Sequence, residues 1–342
     1  MGLDRFSPEV KQRIIEHRYD CGYALMHCNR HAQAVLEFEA VLQLDPSHAM
    51  ALTGRCLALL AIGAYAKGMP LFDVFWREFD WVSWNKNEFK RVLSLPLWQG
   101  GNCDLLVYHQ EGYGDAIMYM RVLPKLVQRC KSVTLLIYPE IASLMEGYGA
   151  KVISTVPKDC SVYDARVTTF DSVWMTGCVT QQTIPSQPYI PADFKFGSGK
   201  MGITWSGVTQ NAFTLKRFLT YLNVEGYELF SLQKTKEDIP GIHSLMSKDF
   251  KETVRLMETL DVIVTVDTST AHLAGAMGHP NAHVLIPFKR DWRWWHKDWW
   301  YPTLKMYAQK DPTYWDAPFD KLNNEIQDPS GVRQLVRANA KS

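Results

Sequence analysis

Four stretches of this chain carry residues able to do chemistry, and each follows a run of apolar residues. The first is TVDTSTAHLAGAMGHP, residues 265–280. An apolar run ends at Asp267, the hydroxyl residues Thr268, Ser269 and Thr270 follow, and a small-residue helix starts at once with His272 on its first turn. The first turn of a helix leaves backbone N–H groups without partners and carries the positive end of the helix dipole, so it attracts anions. With three hydroxyls and an imidazole expected to face the same cleft, this junction suits a diphosphate. An ordinary N-cap, in which Asp267 or Thr268 satisfies the free donors, uses the same residue types.

The second stretch is EGYGD, residues 111–115. Gly112 and Gly114 let the backbone turn sharply off a strand and let a ligand come close, which puts Glu111, Gly112, Tyr113 and Gly114 on the acceptor side of a cleft. Asp115 opens the following helix, where the dipole favours a carboxylate that can accept a proton. A capping role is the competing use. The third, SGVTQNAFTLKR, residues 206–217, starts with Ser206 and Gly207 and ends in Lys216 and Arg217, cations suited to neutralising a departing diphosphate. Gln233, at the end of the next strand, is placed to hydrogen-bond a base or ribose. The fourth, LIPFKRDWRWWHKDWWYP, residues 285–302, interleaves five tryptophans with Lys, Arg and His. Such a segment suits stacking on sugar rings or unstacked bases, with Arg290 and Trp292 on the acceptor side. Filling a domain interface is the other use of such residues, expected for three of the five tryptophans.

The elements that must position these residues follow from hydrophobic periodicity. Residues 105–109, 133–138 and 151–155 read as strands separated by helices over 116–130, interrupted by Pro124, and 141–149. Residues 184–200 hold three prolines and two glycines without a period and read as a linker. A second series follows: strands over 201–205, 227–233, 261–266 and 282–288, helices over 249–260 and 269–278, and a loop through Lys216 and Arg217. Alternating strands and helices imply two parallel-sheet lobes whose carboxyl edges make a cleft. Ahead of them, residues 8–79 read as helices. Gly22, Ala34, Phe38 and Pro46 have the spacing of a tetratricopeptide repeat, and a degraded second copy carries Cys56 and Phe72 at the matching places. The fold class expected is α/β: two Rossmann-like lobes, residues 96–190 and 191–342, preceded by an α-helical tetratricopeptide-like segment and junction over 1–95. That segment serves either as a helical cap or in docking a peptide or a second copy.

Composition narrows the class. The chain has 342 residues, 46% hydrophobic and 21% charged, which suits a folded protein of two domains plus an appendage. Lys+Arg is 37 against Asp+Glu 36, so net charge gives no support for nucleic acid or an anionic membrane. No apolar run is long enough to span a bilayer, and MGLDRFSPEVKQR holds neither an apolar signal core nor a hydroxyl residue at Phe6 for myristoylation. Seven scattered cysteines suit a reducing compartment, and a cytoplasmic protein is expected.

DLLVYHQEGYGDAIMYMRVLP resembles the first-lobe signature of tetratricopeptide-repeat-linked, heptosyltransferase-like glycosyltransferases. SLQK at 231–234, TVDTSTAHLAGAMGHP and IPFKRDWRWW resemble the second-lobe signatures in the same order, and PLWQGG resembles the junction before the lobes. The match runs from about Pro96 to Pro302. The resemblance implies a GT-B fold and an inverting, metal-independent transfer of a sugar from a nucleotide-sugar donor. It implies Asp115 as base, and Lys216 or Arg217 with Asp267, Thr268, Ser269, Thr270 and His272 around the donor diphosphate. The sequence departs from the family pattern at Phe213 and Leu215, where polar residues usually stand. No Asp-x-Asp pair or His/Cys ligand cluster is present, so neither metal nor cofactor is expected beyond the nucleotide sugar as co-substrate. The acceptor is a saccharide, a protein or a modified base. Two other readings stay open: glycosyl transfer to hydroxylated bases in DNA, and a non-catalytic repeat-containing binding protein.

Overall fold

The computed structural model describes residues 7–72, 86–109, 111–207, 213–233, 239–244 and 249–326. Of the expected features, the end of the helical segment to Phe79, the first part of the junction, residues 208–212, Lys234 and the basic tail lie outside the described residues.

The helical segment consists of α1 (Pro8–His27), α2 (His31–Leu44), α3 (Ala49–Ala61) and the short α4 (Tyr65–Gly68), which tightens into a 3-10 turn at Met69–Leu71. Ser7 starts α1 by accepting the Val10 N–H, with Pro8 in the first turn where its missing donor costs nothing. The repeat-spaced residues do pack together. The Phe38 ring is buried between Gly22 and Gly54, where an added Cβ would stand 2.8 and 2.5 Å from it. The second-copy residues look outward from this hairpin instead. Cys56 donates to the Gly68 carbonyl, and Phe72 stacks on Phe170 of the first lobe at 4.1 Å.

After α5 (Lys86–Leu93), the segment Pro96–Trp98 pairs with residue 166: Trp98 N–H donates to the Arg166 carbonyl and Arg166 N–H to that of Pro96. The junction is thereby stitched to the edge of the first sheet. That sheet is wholly parallel, in the order β3-β2-β1-β4, from β1 (Asp104–Tyr108), β2 (Ser132–Leu136), β3 (Lys151–Ile153) and β4 (Ala165–Thr168). Its helices are α6 (Tyr113–Tyr119), α7 (Leu123–Arg129), α8 (Pro139–Ala142) and α9 (Thr169–Met175). A 3-10 turn at Met120–Val122 separates α6 from α7, as Pro124 in the first turn of α7 requires.

The second sheet joins β5 (Lys200–Thr204), β6 (Glu228–Ser231), β7 (Ile242–Ser244), β8 (Val262–Val266), β9 (Ala282–Ile286) and β10 (Lys305–Ala308) in the order β10-β9-β8-β5-β6-β7, all parallel. Counted within the lobe this is 3-2-1-4-5-6, the doubly wound order that opens a crevice at the carboxyl ends of β5 and β8. The first sheet has the start of the same order, with its switch between β1 and β4. The helices here are α10 (Leu215–Tyr221), α11 (Phe250–Met257), α12 (Ser269–Met277), α13 (Lys297–Trp300) and α14 (Asp316–Ile326).

Several elements depart from expectation. β4, β7 and β10 are short strands carrying Arg166, His243 and Lys305, too polar and brief to show a period. The loop expected through Lys216 and Arg217 is the helix α10. Thr214 caps it by accepting the Arg217 N–H, while Phe213 and Phe218 are buried with Trp315 and Phe319. Phe213 therefore departs from the family pattern because it is a core residue. The expected linker is irregular but attached: Tyr189 and Ile190 N–H groups both donate to the Ala276 carbonyl at the end of α12.

One apolar core runs through all three parts, joining Leu60, Tyr65 and Phe72 to Leu105, Ile117 and Tyr119, and to Leu273, Trp292 and Trp300. The lobes are packed directly on each other and on the helical segment. Among the described residues no helix is long and apolar enough to cross a membrane.

Candidate functional site

The two switch points meet where α6 of the first lobe crosses α12 of the second. A Cβ on Gly114 would stand 2.6 Å from His272 Cδ2 and 3.4 Å from the Ser269 backbone, so only glycine admits this approach. The crossing sets the glycine turn and Asp115 against the start of α12.

On the second lobe, Thr268 is the N-cap residue of α12, but its side chain does not cap the helix. Its hydroxyl instead contacts Thr265 Oγ1 at 3.1 Å and the Val266 carbonyl at 3.3 Å. The N–H groups of the first turn are thus left without a side-chain acceptor. Gly207, leaving β5, lies over this junction; a Cβ there would meet the Asp267 carbonyl oxygen and Thr268 Cγ2, each at 2.9 Å. Gln233, at the end of β6, accepts the Ser206 N–H at 3.0 Å and holds the neighbouring strand end in place. Ser206, Gly207, Gln233, Asp267, Thr268 and Ser269 are thereby gathered at adjoining carboxyl ends of the sheet. Burial, with Asp291 nearby, pushes the Asp267 carboxyl up to about 7.

On the first lobe, His109 ends β1 fully buried. Its ring bridges Thr169 Oγ1 at 2.7 Å and the Gly112 carbonyl at 3.0 Å, fixing the glycine turn. The roles follow from chemistry: Nε2–H donates to the carbonyl, and Nδ1 accepts from the hydroxyl. Asp115 Oδ2 accepts the Gly112 N–H at 3.2 Å, so Asp115 does brace its own helix start. Its other oxygen is paired with Arg293 of the second lobe. The same guanidinium reaches Asp291 Oδ1 at 2.8 Å, the Tyr119 hydroxyl at 2.7 Å and Glu111 Oε2 at 3.5 Å. Glu111 is only 4% exposed. Burial, then the carboxylate of Asp115, pushes it well above the usual carboxylate range. The arrangement is one cation among carboxyl groups from both lobes, in which Asp115 and Asp291 keep exposed edges, at 23% and 37%.

Several expected site residues stand elsewhere. His272 does not face the cleft. It is buried between α6 and α12, its Nδ1 3.0 Å from the Tyr301 hydroxyl and its ring beside Trp294, and burial lowers its pKa to about 3. Thr270 is buried too, accepting from Thr204 at 3.2 Å beneath the helix start. Trp292, assigned to the acceptor side, is 4% exposed and packed between Tyr65, Phe170 and Trp300. Arg290 stacks on Trp295 at 4.2 Å, close to His31 of the helical segment. Of the five tryptophans, Trp292, Trp294 and Trp300 are buried, and Trp299 and Trp295 lie against Tyr65 and His31. This segment forms an interface with the helical segment and the first lobe. Lys216 and Arg217 are exposed on α10, Arg217 lying over the Phe213 ring at 5.8 Å. Tyr113 packs on Tyr138 and Phe250 at the rim between the lobes.

Sequence reasoning missed Arg293 and Asp291, although both lie inside a quoted motif. The five tryptophans around them drew the reading toward stacking. The signal available was the Asp-x-Arg spacing itself, which pairs locally and leaves the rest of the guanidinium fork for a partner. Among the described residues no three His, Cys, Asp or Glu side chains are grouped so as to hold a metal ion.

No protein-family model matches the chain, and no curated protein matches it in sequence. Among solved structures it is similar to TibC, a bacterial iron-containing dodecameric glycosyltransferase from enterotoxigenic E. coli. The identity is 13%, over 72% of this chain and 80% of that one, with a TM-score of 0.43. It is similar to the E. coli heptosyltransferase WaaC with ADP at 10% identity, over 69% and 99% of the two chains, TM-score 0.40. A Thermobaculum terrenum O-GlcNAc transferase mutant shows 10% identity over 94% and 78%, TM-score 0.34. At these scores the likeness carries no inference about activity.

Proposed function

We propose that this chain is an inverting, metal-independent glycosyltransferase of GT-B architecture, moving a sugar from a nucleotide-diphosphate donor to a hydroxyl acceptor between the lobes. The observation that carries this reading is the crossing at Gly114 and His272. It sets an uncapped helix start of the second lobe against a carboxylate of the first. An anion site and a proton acceptor on opposite walls of one cleft are what displacement of a nucleoside diphosphate by a hydroxyl needs. In this reading the helical segment is tetratricopeptide-like, and residues 96–190 and 191–342 are the acceptor and donor lobes.

The donor diphosphate takes hydrogen bonds from the N–H groups of Ser269 and Thr270 at the start of α12 and from the hydroxyls of Thr268 and Ser269. It lies next to Gly207, whose missing Cβ lets the end of β5 lie close on the junction. Lys216 or Arg217 supplies the neutralising charge. Asp115 takes the proton of the acceptor hydroxyl as its oxygen bonds to the anomeric carbon. The bond from that carbon to the diphosphate breaks, and the electron pair leaves with the nucleoside diphosphate. One displacement without an enzyme nucleophile inverts the anomeric centre.

Calorimetric titration with UDP-, GDP- and ADP-sugars, in excess chelator, tests the donor half. A sugar nucleotide should bind; Thr268→Val should weaken it by roughly tenfold, as loss of a diphosphate contact of about 1.4 kcal/mol implies, and Gly207→Ala should weaken it by displacing Asp267 and Thr268. Unchanged affinity in both would remove the donor from this junction.

A further inference from the structure

We propose that Arg293 is the positioning residue of the base: supplied by the second lobe, it sets the Asp115 carboxylate of the first, so that the base is assembled from residues of both lobes. This rests on the reading of Asp115 as the base given above.

Both oxygens of Asp115 are held, and by different lobes. Oδ2 takes the Gly112 N–H of its own turn, and Oδ1 takes the Arg293 guanidinium. The guanidinium is itself fixed on several sides, by Asp291 in its own turn, by Tyr119 on α6 and by the face of Trp292 at 4.6 Å. Trp292 meets Tyr65 of the helical segment edge-on, ring centroids 5.6 Å apart. The helical segment therefore backs the platform on which Arg293 lies. A planar fork is needed to reach Asp115, Asp291 and Tyr119 together, which an ammonium cannot do.

A purely structural clamp is the alternative, and two buried atoms speak against it. Arg293 Nε has no hydrogen-bond partner, and Glu111 Oε2 has only the guanidinium at 3.5 Å. A pair kept only for stability loses by leaving buried polar atoms unsatisfied, and such exceptions gather at functional sites. The charged and titratable groups facing Arg293 are Glu111, Asp115 and Tyr119 from the first lobe, Asp267 and Asp291 from the second and Tyr65 from the helical segment, with His272 and His109 buried nearby. Without the guanidinium these carboxyl groups face one another uncompensated. Like charges held this close disfavour one another's ionisation.

The test is the pH profile of transfer, with donor affinity by calorimetry, in the parent, Arg293→Gln and Arg293→Lys. Arg293→Gln should lower kcat by about 10²-fold, the effect of misplacing a reacting group by an ångström, with donor Kd within about threefold. The acid limb of its profile should move to higher pH. Arg293→Lys, which keeps the charge and loses the fork, should restore the limb and only part of kcat. A folded Arg293→Gln with parental kcat, or a loss with an unmoved limb and no recovery in Arg293→Lys, overturns the assignment. If Arg293→Gln does not fold, Tyr119→Phe and Asp291→Asn loosen the guanidinium without removing it. Both should lower kcat severalfold at unchanged donor affinity, and parental kcat in both overturns the assignment. A parent that binds no sugar nucleotide overturns the functional reading and this assignment with it; a parent that binds donor beside a fully active Arg293→Gln overturns only the assignment.

Discussion

Gly114 and His272 touch across the two lobes so closely that one added methyl group at Gly114 would stand 2.6 Å from the imidazole. The imidazole cannot retreat, because Tyr301 and Trp294 hold it from behind. The approach of the two lobes beside the candidate site is therefore fixed by a glycine on one side and a buried histidine on the other.

Gly114→Ala should pry the lobes apart. Overpacking of this kind costs about 1–3 kcal/mol, and turnover should fall because Asp115 moves away from the start of α12. His272→Ala in the same chain should return part of the loss, since it removes the atom that clashes. Urea unfolding of the two single variants and the double variant checks this. Additive losses would mean that the two residues do not share a contact.

Stability should rise with pH between about 4.5 and 6.5. Burial holds His31, His109 and His279 at about 4, and His272 and His283 at about 3, all below the ordinary 6.5. As pH falls through this window the unfolded chain takes up protons that the folded chain refuses, so stability is lost. Glu111 and Asp267 act in the opposite sense, because their raised values let the folded chain bind protons first. Five histidines outweigh two carboxyls, and His272→Asn should flatten the slope. Thermal melts across the window check the sign; a Tm that is level or falls with rising pH would contradict it.

The helical segment should unfold with the lobes. Tyr65 is fully buried among Trp292, Trp299 and Trp300, and it accepts a hydrogen bond from Trp300 Nε1 at 3.1 Å. Tyr65→Ala should cost about 3–5 kcal/mol, as deletion of a large core ring does. Far-ultraviolet dichroism and tryptophan fluorescence should report one coincident transition in the parent. A separate, earlier helical transition would show the segment to be an independent unit.

Legibility in the sequence followed apolar continuity. β1, β2, β8 and β9 could be read because each is an unbroken buried run, and α12 because small residues follow a hydroxyl cluster. β4, β7 and β10 could not, since Arg166, His243 and Lys305 break their short runs. At the site, the glycine turn and the Asp267–Ser269 junction were visible because glycines and hydroxyls at a strand end have few other uses. What local sequence could not show is which side of a helix another lobe will cover. His272 and Thr270 read as cleft residues and are buried, because α12 packs on α6 and on β5. Trp292 read as a ligand platform and is an interior one, because Tyr65, more than two hundred residues away, lies against it. Arg293 was hidden for the same reason: its partners Asp115, Glu111 and Tyr119 belong to the other lobe.

The central claim is that Asp115 removes a proton for sugar transfer and does more than start a helix. Asn caps about as well as Asp and has nearly the same size, so Asp115→Asn keeps the structural role and removes the chemical one. The measurement is nucleoside diphosphate release from the sugar nucleotide that binds, with acceptor present, in the parent and in Asp115→Asn. The account predicts release by the parent, a fall of about 10²–10⁴-fold in the variant and donor affinity within about threefold, since general-base loss has that size and the donor contacts lie in the other lobe. Release by Asp115→Asn at the parental rate would contradict it and leave Asp115 as a cap.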